Sequence, residues 1–154
     1  MSARGTFGAI GVNSCEAMQA TRARSDPAGR PIGGRTILIV EDDPELRALF
    51  AQILADQGYA VRTAGDGLAA LEQIAAERPT LILLDMMMPV MDGHAFRRAQ
   101  MADPRWRGIP VIVVSATSEF LEADATLGAK AIIGKPFDFD ELLTLVETWA
   151  VAPA

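Results

Sequence analysis

The sequence predicts a doubly wound α/β fold, in which five strands alternate with five helices around one parallel sheet. Two observations support this prediction: short apolar runs bounded by Gly, Pro or charge, and intervening stretches with apolar residues three and four positions apart. Strict alternation of strands and helices favours right-handed crossovers and helices on both faces of the sheet. The expected strands are residues 36–40, 59–64, 80–85, 109–115 and 131–134.

Capping residues support the same division of the chain. Pro44 occupies a first helical position, and Gly58 and Gly128 stand where the first and fourth helices should end. The first, third and fourth strands are almost wholly apolar, as central strands are, whereas the second alternates like an edge strand. The expected N-caps are Asp43, Asp66, Asp92 and Asp138. The helices have their apolar residues within 46–54, 68–75, 96–101, 120–127 and 142–149.

Length and composition favour a single domain without cross-links. A chain of 154 residues can bury roughly two-thirds of the surface that its unfolded form exposes, and its one cysteine, Cys15, cannot form an internal disulfide. The apolar runs fall far short of the ~20 residues that a membrane-spanning helix needs. We therefore expect a soluble, cytoplasmic protein without membrane insertion.

Charge separates the amino-terminal stretch from the rest of the chain. The net charge is -6, yet residues 1–34 are basic, rich in Gly, Ala, Ser and Arg, and without sustained apolar periodicity. We expect a flexible extension over 1–34, or a misassigned start with Met18 as the initiator, then a domain over 35–150 and a tail over 151–154. An acidic domain is a poor candidate for direct nucleic-acid binding, which depends on neutralising phosphates.

Charged and polar residues follow four of the predicted strands at the point where each strand ends. They are Glu41 and Asp42 after the first strand, Asp85 after the third, Ser115 after the fourth and Lys135 after the fifth. Ligands of open parallel sheets bind outside the carboxyl ends of the strands, so we expect these side chains to meet at one edge. Asp43 also follows the first strand, but Pro44 after it favours a helix cap.

Carboxylates gathered at one edge favour a bound cation. Two like charges about 4 Å apart repel by roughly 1 kcal/mol in water and by several times more in a cleft. Mg²⁺ prefers oxygen ligands in octahedral array, and a carboxylate beside such a cation can attack phosphorus to give an aspartyl phosphate. Asp85 would supply the attacking oxygen, and the cation, Lys135 and the Ser115 hydroxyl would each bind one phosphoryl oxygen.

Four segments of the sequence resemble the receiver domain of two-component response regulators. They read "ILIVEDDPELR", "LILLDMMMPVMDG", "IPVIVVSA" and "GAKAIIGKPFD", and the resemblance covers about residues 35–150. The spacing of the acid pair, the aspartate, the hydroxyl and the lysine also fits that family. The resemblance implies a flavodoxin-like fold with strand order 2-1-3-4-5, in a single-domain regulator similar to those of chemotaxis.

The same resemblance implies a role for each residue that it matches. The implied Mg²⁺ ligands are Glu41, Asp42, Asp85 and the backbone carbonyl of Met87. Asp85 would be phosphorylated, Ser115 would be the switch hydroxyl, and Lys135, joined to Pro136 by a cis bond, would bind the phosphate. The donor would be a phosphohistidine on a sensor histidine kinase or a histidine phosphotransfer protein. The chain would be a signalling phosphoacceptor, which catalyses only its own phosphorylation and dephosphorylation.

One position departs from the pattern of the family. Many receivers have an aromatic residue three positions before the lysine, and here that residue is Ile132, so aromatic burial cannot report phosphorylation. The face formed by the fourth predicted helix, the fifth strand and the fifth helix is still the expected docking surface for a downstream protein. Its candidate contacts are Phe120, Leu121 and Trp149, for which core packing is the alternative.

Several other functions compete with this interpretation. A phosphatase of the haloacid dehalogenase type would need two aspartates spaced D-x-D after the first strand, and a flavin binder would need a Gly-rich, hydroxyl-rich loop there. A phosphorylation-independent scaffold and a receiver fragment of a hybrid histidine kinase both remain open. We expect a stand-alone regulator, monomeric or weakly dimeric, that signals by phosphorylation-dependent docking to another protein.

Overall fold

The computed structural model describes residues 34–116 and 128–151. Within them, five parallel strands form one sheet in the order β2-β1-β3-β4-β5, which confirms the predicted flavodoxin-like fold. The strands β1 to β5 are Thr36–Val40, Ala60–Ala64, Leu81–Leu84, Val111–Ser115 and Ala131–Gly134. The described helices α1 to α4 are Pro44–Asp56, Gly67–Ala76, Gly93–Ala102 and Phe139–Trp149. The helix predicted within 120–127 lies outside the described residues, so α4 is the fifth predicted helix.

The sheet register places two acidic residues side by side. Strand β1 pairs with β3 up to Val40 and Leu84, the residues that immediately precede Glu41 and Asp85. The ladder continues past the strand end, because the Asp85 N–H donates to the Val40 carbonyl at 2.9 Å. Adjacent parallel strands lie about 5 Å apart, so two residues in register at their ends are neighbours in space.

The core consists of two apolar clusters, one on each face of the sheet. Alternate residues of β1 point to opposite faces, so Ile37 and Ile39 join one cluster while Leu38 and Val40 join the other. Helices α1 and α4 cover the first face, and α2 and α3 cover the second. Strands β1, β3 and β4 are buried along their whole length, whereas only Ala64 of β2 is buried, as predicted for an edge strand.

The helices begin at the predicted aspartates. Each of the four N-cap side chains accepts a hydrogen bond from a backbone N–H in the first turn, as from Glu45 to Asp43 in α1 and from Asp140 to Asp138 in α4. Gly58 follows α1 with φ of 99°, the left-handed conformation that ends many helices. None of the helices in the described ranges is both long and apolar enough to cross a bilayer.

Candidate functional site

Glu41, Asp42 and Asp85 lie together beyond the carboxyl ends of β1 and β3. One carboxylate oxygen from each residue lies within 4.8 Å of those of the other two. Glu41 is 2% exposed and Asp85 is 4% exposed, whereas Asp42 is open to solvent. The structure therefore brings together the three carboxylates that the sequence placed at this edge.

Lys135 reaches the same carboxylates from the end of β5. Its ammonium nitrogen Nζ lies 3.0 Å from Glu41 Oε2 and 3.8 Å from Asp85 Oδ2. The Lys135 N–H donates to the Ser115 carbonyl at 2.7 Å, which carries the pairing of β4 and β5 one residue further. The peptide bond to Pro136 is cis, as the resemblance implied. One ammonium group thus lies close to two of the three carboxylates.

Ser115 and Met87 are the two remaining residues that the sequence assigned to the site. Ser115 is buried as the last residue of β4, in register with Gly134. The Met87 N–H donates to Asp85 Oδ1 at 3.2 Å, and the Met87 side chain is 54% exposed. The hydrogen bond favours the ionised form of Asp85.

Burial makes the charges of the two enclosed carboxylates costly. Burial and the nearby Asp85 raise the pKa of Glu41 to about 7, against the lowering effect of its hydrogen bond from Lys135. Burial also raises the pKa of Asp85, although Lys135 and the Met87 N–H oppose the shift. Lys135 alone therefore does not compensate the negative charge that this edge holds.

The donor set fits a divalent cation such as Mg²⁺. All of the converging side-chain ligand atoms are carboxylate oxygens, the kind of ligand that Mg²⁺ prefers. Burial raises the pKa values of Glu41 and Asp85, and a nearby positive charge would offset this cost of ionisation. The exposure of Asp42 leaves room for the water molecules that Mg²⁺ retains in proteins.

Two further residues shape the site and were not identified from sequence. Arg47 Nη1 donates to the Glu41 carbonyl at 2.9 Å, so α1 holds the loop that carries the acid pair. A Cβ on Gly93 would lie 2.8 Å from the Asp85 carbonyl oxygen and 2.5 Å from Met86 Sδ, so only glycine lets α3 pack this closely. The sequence predicts Asp92 as a helix cap but gives no signal for the packing role of Gly93 or for Arg47.

The loop between Asp85 and α3 holds one strained residue. Val90 has φ of 68° and is 80% exposed. A β-branched side chain in the left-handed region is a steric outlier that costs about 1 to 3 kcal/mol. The loop beside the phosphoacceptor candidate therefore carries a backbone conformation that its local sequence does not favour.

The predicted docking face is only partly described. Phe120 and Leu121 lie outside the described residues. Trp149 is half-buried against the first core cluster, with the Lys130 ammonium 5.5 Å from its ring centroid, and this agrees with the packing alternative. Ile132 is half-buried and packs against the second cluster.

Comparison with known proteins identifies the family. A family model described as the response regulator receiver domain matches residues 37–147. The chain belongs to this family. It is 37% identical over 116 residues to the sporulation initiation phosphotransferase F of Bacillus subtilis, covering 73% of this chain and 91% of that protein. It is also 37% identical over 113 residues to the nitrogen assimilation regulatory protein NtrX of Azorhizobium caulinodans, covering 72% of this chain but only 25% of NtrX.

Solved structures agree with that assignment. The receiver domain of a signal transduction histidine kinase from Syntrophus aciditrophicus superposes with a TM-score of 0.71 at 33% identity, covering 76% of this chain and 90% of that one. The response regulator TrrA of Thermotoga maritima, solved in complex with Mg²⁺-BeF, gives 0.68 at 28% identity, covering 75% and 98%.

The family assignment establishes the general class of function. Receiver domains are signalling domains of two-component systems, and phosphoryl acceptance and Mg²⁺ binding are typical of them. They interact with histidine kinases and phosphotransfer donors. The acidic cluster of Glu41, Asp42 and Asp85 lies at the edge where the family binds Mg²⁺.

Proposed function

We propose that this receiver accepts a phosphoryl group onto Asp85 from a phosphohistidine, with Mg²⁺, and signals by phosphorylation-dependent docking to another protein. The donor is a sensor histidine kinase or a histidine phosphotransfer protein. The observation that carries the proposal is the position of the Lys135 ammonium, 3.0 Å from Glu41 and 3.8 Å from Asp85. This one group contacts both a candidate Mg²⁺ ligand, Glu41, and the candidate phosphoacceptor, Asp85.

The reaction transfers one phosphoryl group between two side chains. A carboxylate oxygen of Asp85 attacks phosphorus as the phosphorus–nitrogen bond of the donor breaks, and the imidazole nitrogen keeps the electron pair. Burial at the end of an apolar strand holds the Asp85 oxygen in place and limits the directions from which water can approach. Hydrolysis then returns the carboxylate and releases phosphate, because water attacks phosphorus and the bond between phosphorus and the Asp85 oxygen breaks.

The surrounding residues neutralise the transferred group. Lys135 would bind one phosphoryl oxygen and the Ser115 hydroxyl a second. Ser115 ends β4, which is adjacent to β3, and Lys135 follows β5, the next strand of the sheet. Glu41, Asp42, Asp85 and the Met87 carbonyl would hold Mg²⁺, which when bound supplies positive charge to the phosphoryl group. Lys135 and the N–H of Met87 favour the ionised, nucleophilic form of Asp85, against the burial that raises its pKa.

A stand-alone regulator is the organisation that we favour. The family match over 37–147 supports a receiver domain at about 35–150, and the chain covers 91% of the phosphotransferase F relative. The basic stretch 1–34 and the residues 151–154 would then be an extension and a tail. Docking through the face of the fourth predicted helix, β5 and α4, by a monomer or weak dimer, would deliver the signal.

One observation favours a second organisation. The chain spans only 25% of NtrX and 48% of the transcriptional regulatory protein GltR, and its solved neighbours include the receiver of a histidine kinase. Under this alternative the same Asp85 chemistry serves a larger signalling protein. Size-exclusion chromatography of the natural protein from its source, detected by an antibody against this chain, distinguishes the two.

Intact mass spectrometry tests the central proposal. The wild type, incubated with acetyl phosphate and Mg²⁺, should gain one phosphoryl group, and Asp85→Asn should gain none. Asp103→Asn is the matched control, because Asp103 is an aspartate on the opposite edge of the sheet, and it should label like the wild type. Equal labelling of wild type and Asp85→Asn, or no labelling of either, would support a phosphorylation-independent scaffold instead.

A further inference from the structure

Three aromatic rings pack together beneath the loop that carries Lys135. Phe50 of α1 stacks on Phe137 with ring centroids 5.5 Å apart and an interplanar angle of 21°. Phe139 meets both rings edge-on, with centroids 5.4 Å from Phe137 and 6.4 Å from Phe50. Phe50 is 2% exposed, whereas the other two are half-buried. Such pairs contribute about 0.5 to 1.5 kcal/mol each beyond the area that they bury, so the cluster fixes the rings relative to one another.

Phe137 is connected to Lys135 through a short and stiff segment. Only Pro136 separates the two residues, and its ring restricts φ to about −65°. On the other side, the Lys135 N–H is held by the Ser115 carbonyl at 2.7 Å. The backbone of Lys135 is therefore fixed upstream by the sheet and downstream by the aromatic ring of Phe137.

Glu41, which forms an ion pair with Lys135, is also anchored to helix α1. Phe50 lies on α1, which begins at Pro44, three residues after Glu41. Arg47 of α1 donates to the Glu41 carbonyl at 2.9 Å, and the Asp43 N–H lies 3.4 Å from Glu41 Oε1. Helix α1 therefore holds Glu41 through polar contacts at its start and the Lys135 loop through Phe50.

We infer that Phe137 is a positioning residue for phosphoryl transfer, which acts by anchoring the Lys135 loop to Phe50 of α1. The inference rests on the proposed function of Asp85 and Lys135. The lysine side chain is long and flexible, so its Nζ finds the phosphoryl oxygen efficiently only if the backbone from which it extends is held. A displacement of about 1 Å at a reacting centre can lower a rate by as much as 10²-fold.

The three aromatic rings also offer another route by which phosphorylation could be reported, since no aromatic residue stands three positions before Lys135. Ile132 occupies the position at which many receivers carry that residue, and it packs on the opposite face of the sheet from the three rings. The rings instead connect the phosphate-binding lysine to α1 and α4, because Phe139 is the first residue of α4. Movement of Lys135 towards a phosphoryl group would therefore shift the packing of the rings against α1 and α4.

A double-mutant cycle tests the inference. Phe137→Leu should lower the rate of Asp85 phosphorylation by acetyl phosphate about tenfold at saturating Mg²⁺. In a Lys135→Ala background the same substitution should have no further effect, because the group that Phe137 positions is gone. Phe137→Tyr keeps the ring and should retain the rate. Val146→Ala, in the same core cluster on α4, controls for loss of stability and should leave the rate unchanged.

Each outcome separates the inference from the proposed function. An equal rate loss in Phe137→Leu and Val146→Ala would make Phe137 only a packing residue. The same conclusion would follow if Phe137→Leu lowered the labelling rate by the same factor in the wild-type and Lys135→Ala backgrounds. The dissociation constant for Mg²⁺, measured by calorimetry, should be the same in Phe137→Leu and wild type. Failure of the wild type to label at all would overturn the proposed function, which is a different result.

Discussion

The carboxyl and amino edges of the sheet, where the parallel strands end and begin, differ in how their charges are compensated. At the carboxyl edge, Glu41 and Asp85 are buried, have raised pKa values and share one ammonium group. At the amino edge, before β4, Asp103 accepts hydrogen bonds from the backbone N–H and the guanidinium of Arg105, and these bonds lower the pKa of Asp103. Arg105 also lies over the ring of Trp106, at 4.8 Å from its centroid.

This difference separates a candidate ligand-binding site from a surface ion pair. A carboxylate that already accepts hydrogen bonds from a neighbouring arginine has little to gain from another ligand. Buried carboxylates that lack sufficient positive charge bind a cation favourably, because the cation compensates their charge. The amino edge is neutralised within the fold, and the carboxyl edge depends on what it binds.

Lys135→Ala is expected to have the largest effect. Removing a group that stabilises transition-state charge costs about 10² to 10³ in rate, so Asp85 labelling by acetyl phosphate should slow by that factor. Lys130→Ala removes an exposed lysine that lies over Trp149 and should leave the rate unchanged. Similar slowing in both variants would show that bulk charge, and not the position of Lys135, governs the reaction.

Addition of Mg²⁺ should stabilise the wild type. A ligand that binds only the folded state raises the free energy of unfolding by about 2.7 kcal/mol at a concentration of 100 times its Kd. Asp42→Asn should show a smaller gain at the same Mg²⁺ concentration, whereas Asp103→Asn should show the full gain. Thermal unfolding with and without a chelator measures both, and a full gain in Asp42→Asn would remove Asp42 from the metal site.

Glu41→Gln should change how stability depends on pH when Mg²⁺ is chelated. The pKa of Glu41 is raised in the folded state, so the folded protein binds more protons, and stability falls as pH rises from about 4.5 to about 7. Glu41→Gln should therefore gain on the order of 2 kcal/mol over the wild type between pH 5 and pH 8, measured by urea unfolding.

Asp103→Asn provides the opposite case for this measurement. The pKa of Asp103 is lowered, so its contribution is present above the ordinary pKa of aspartate and is lost only in more acidic solution. The difference between Asp103→Asn and the wild type should stay constant from pH 5 to pH 8. A constant difference for Glu41→Gln as well would show that the two edges do not differ in this way.

Val90→Asn should have the smallest effect. Asparagine tolerates the left-handed conformation, so the substitution should raise the free energy of unfolding by about 1 kcal/mol. The Val90 side chain is 80% exposed, so little packing is lost. Urea unfolding measures the gain, and Val61→Asn, at a half-buried position of ordinary strand geometry in β2, should be destabilised instead.

Local patterns were sufficient to predict the strands, the helix caps and the grouping of the candidate site residues, whereas the strand order came from the family resemblance. Apolar runs such as "LILL" predict strands because a central parallel strand is buried on both faces, and the aspartates before the helices predict N-caps because they satisfy unpaired N–H groups. The carboxyl ends of parallel strands share an edge, so Glu41, Asp85 and Lys135 could be grouped before any contact was known.

Tertiary structure alone decided how these residues interact. The hydrogen bond from Lys135 to Glu41 joins residues 94 positions apart, and no local pattern specifies its length. The raised pKa of Glu41 depends on burial by the whole domain, and the contact of Phe137 with Phe50 depends on how α1 packs beside the Lys135 loop. Periodicity and capping report short-range sterics and hydrogen bonding, whereas charge, burial and ring packing depend on distances that only the assembled chain defines.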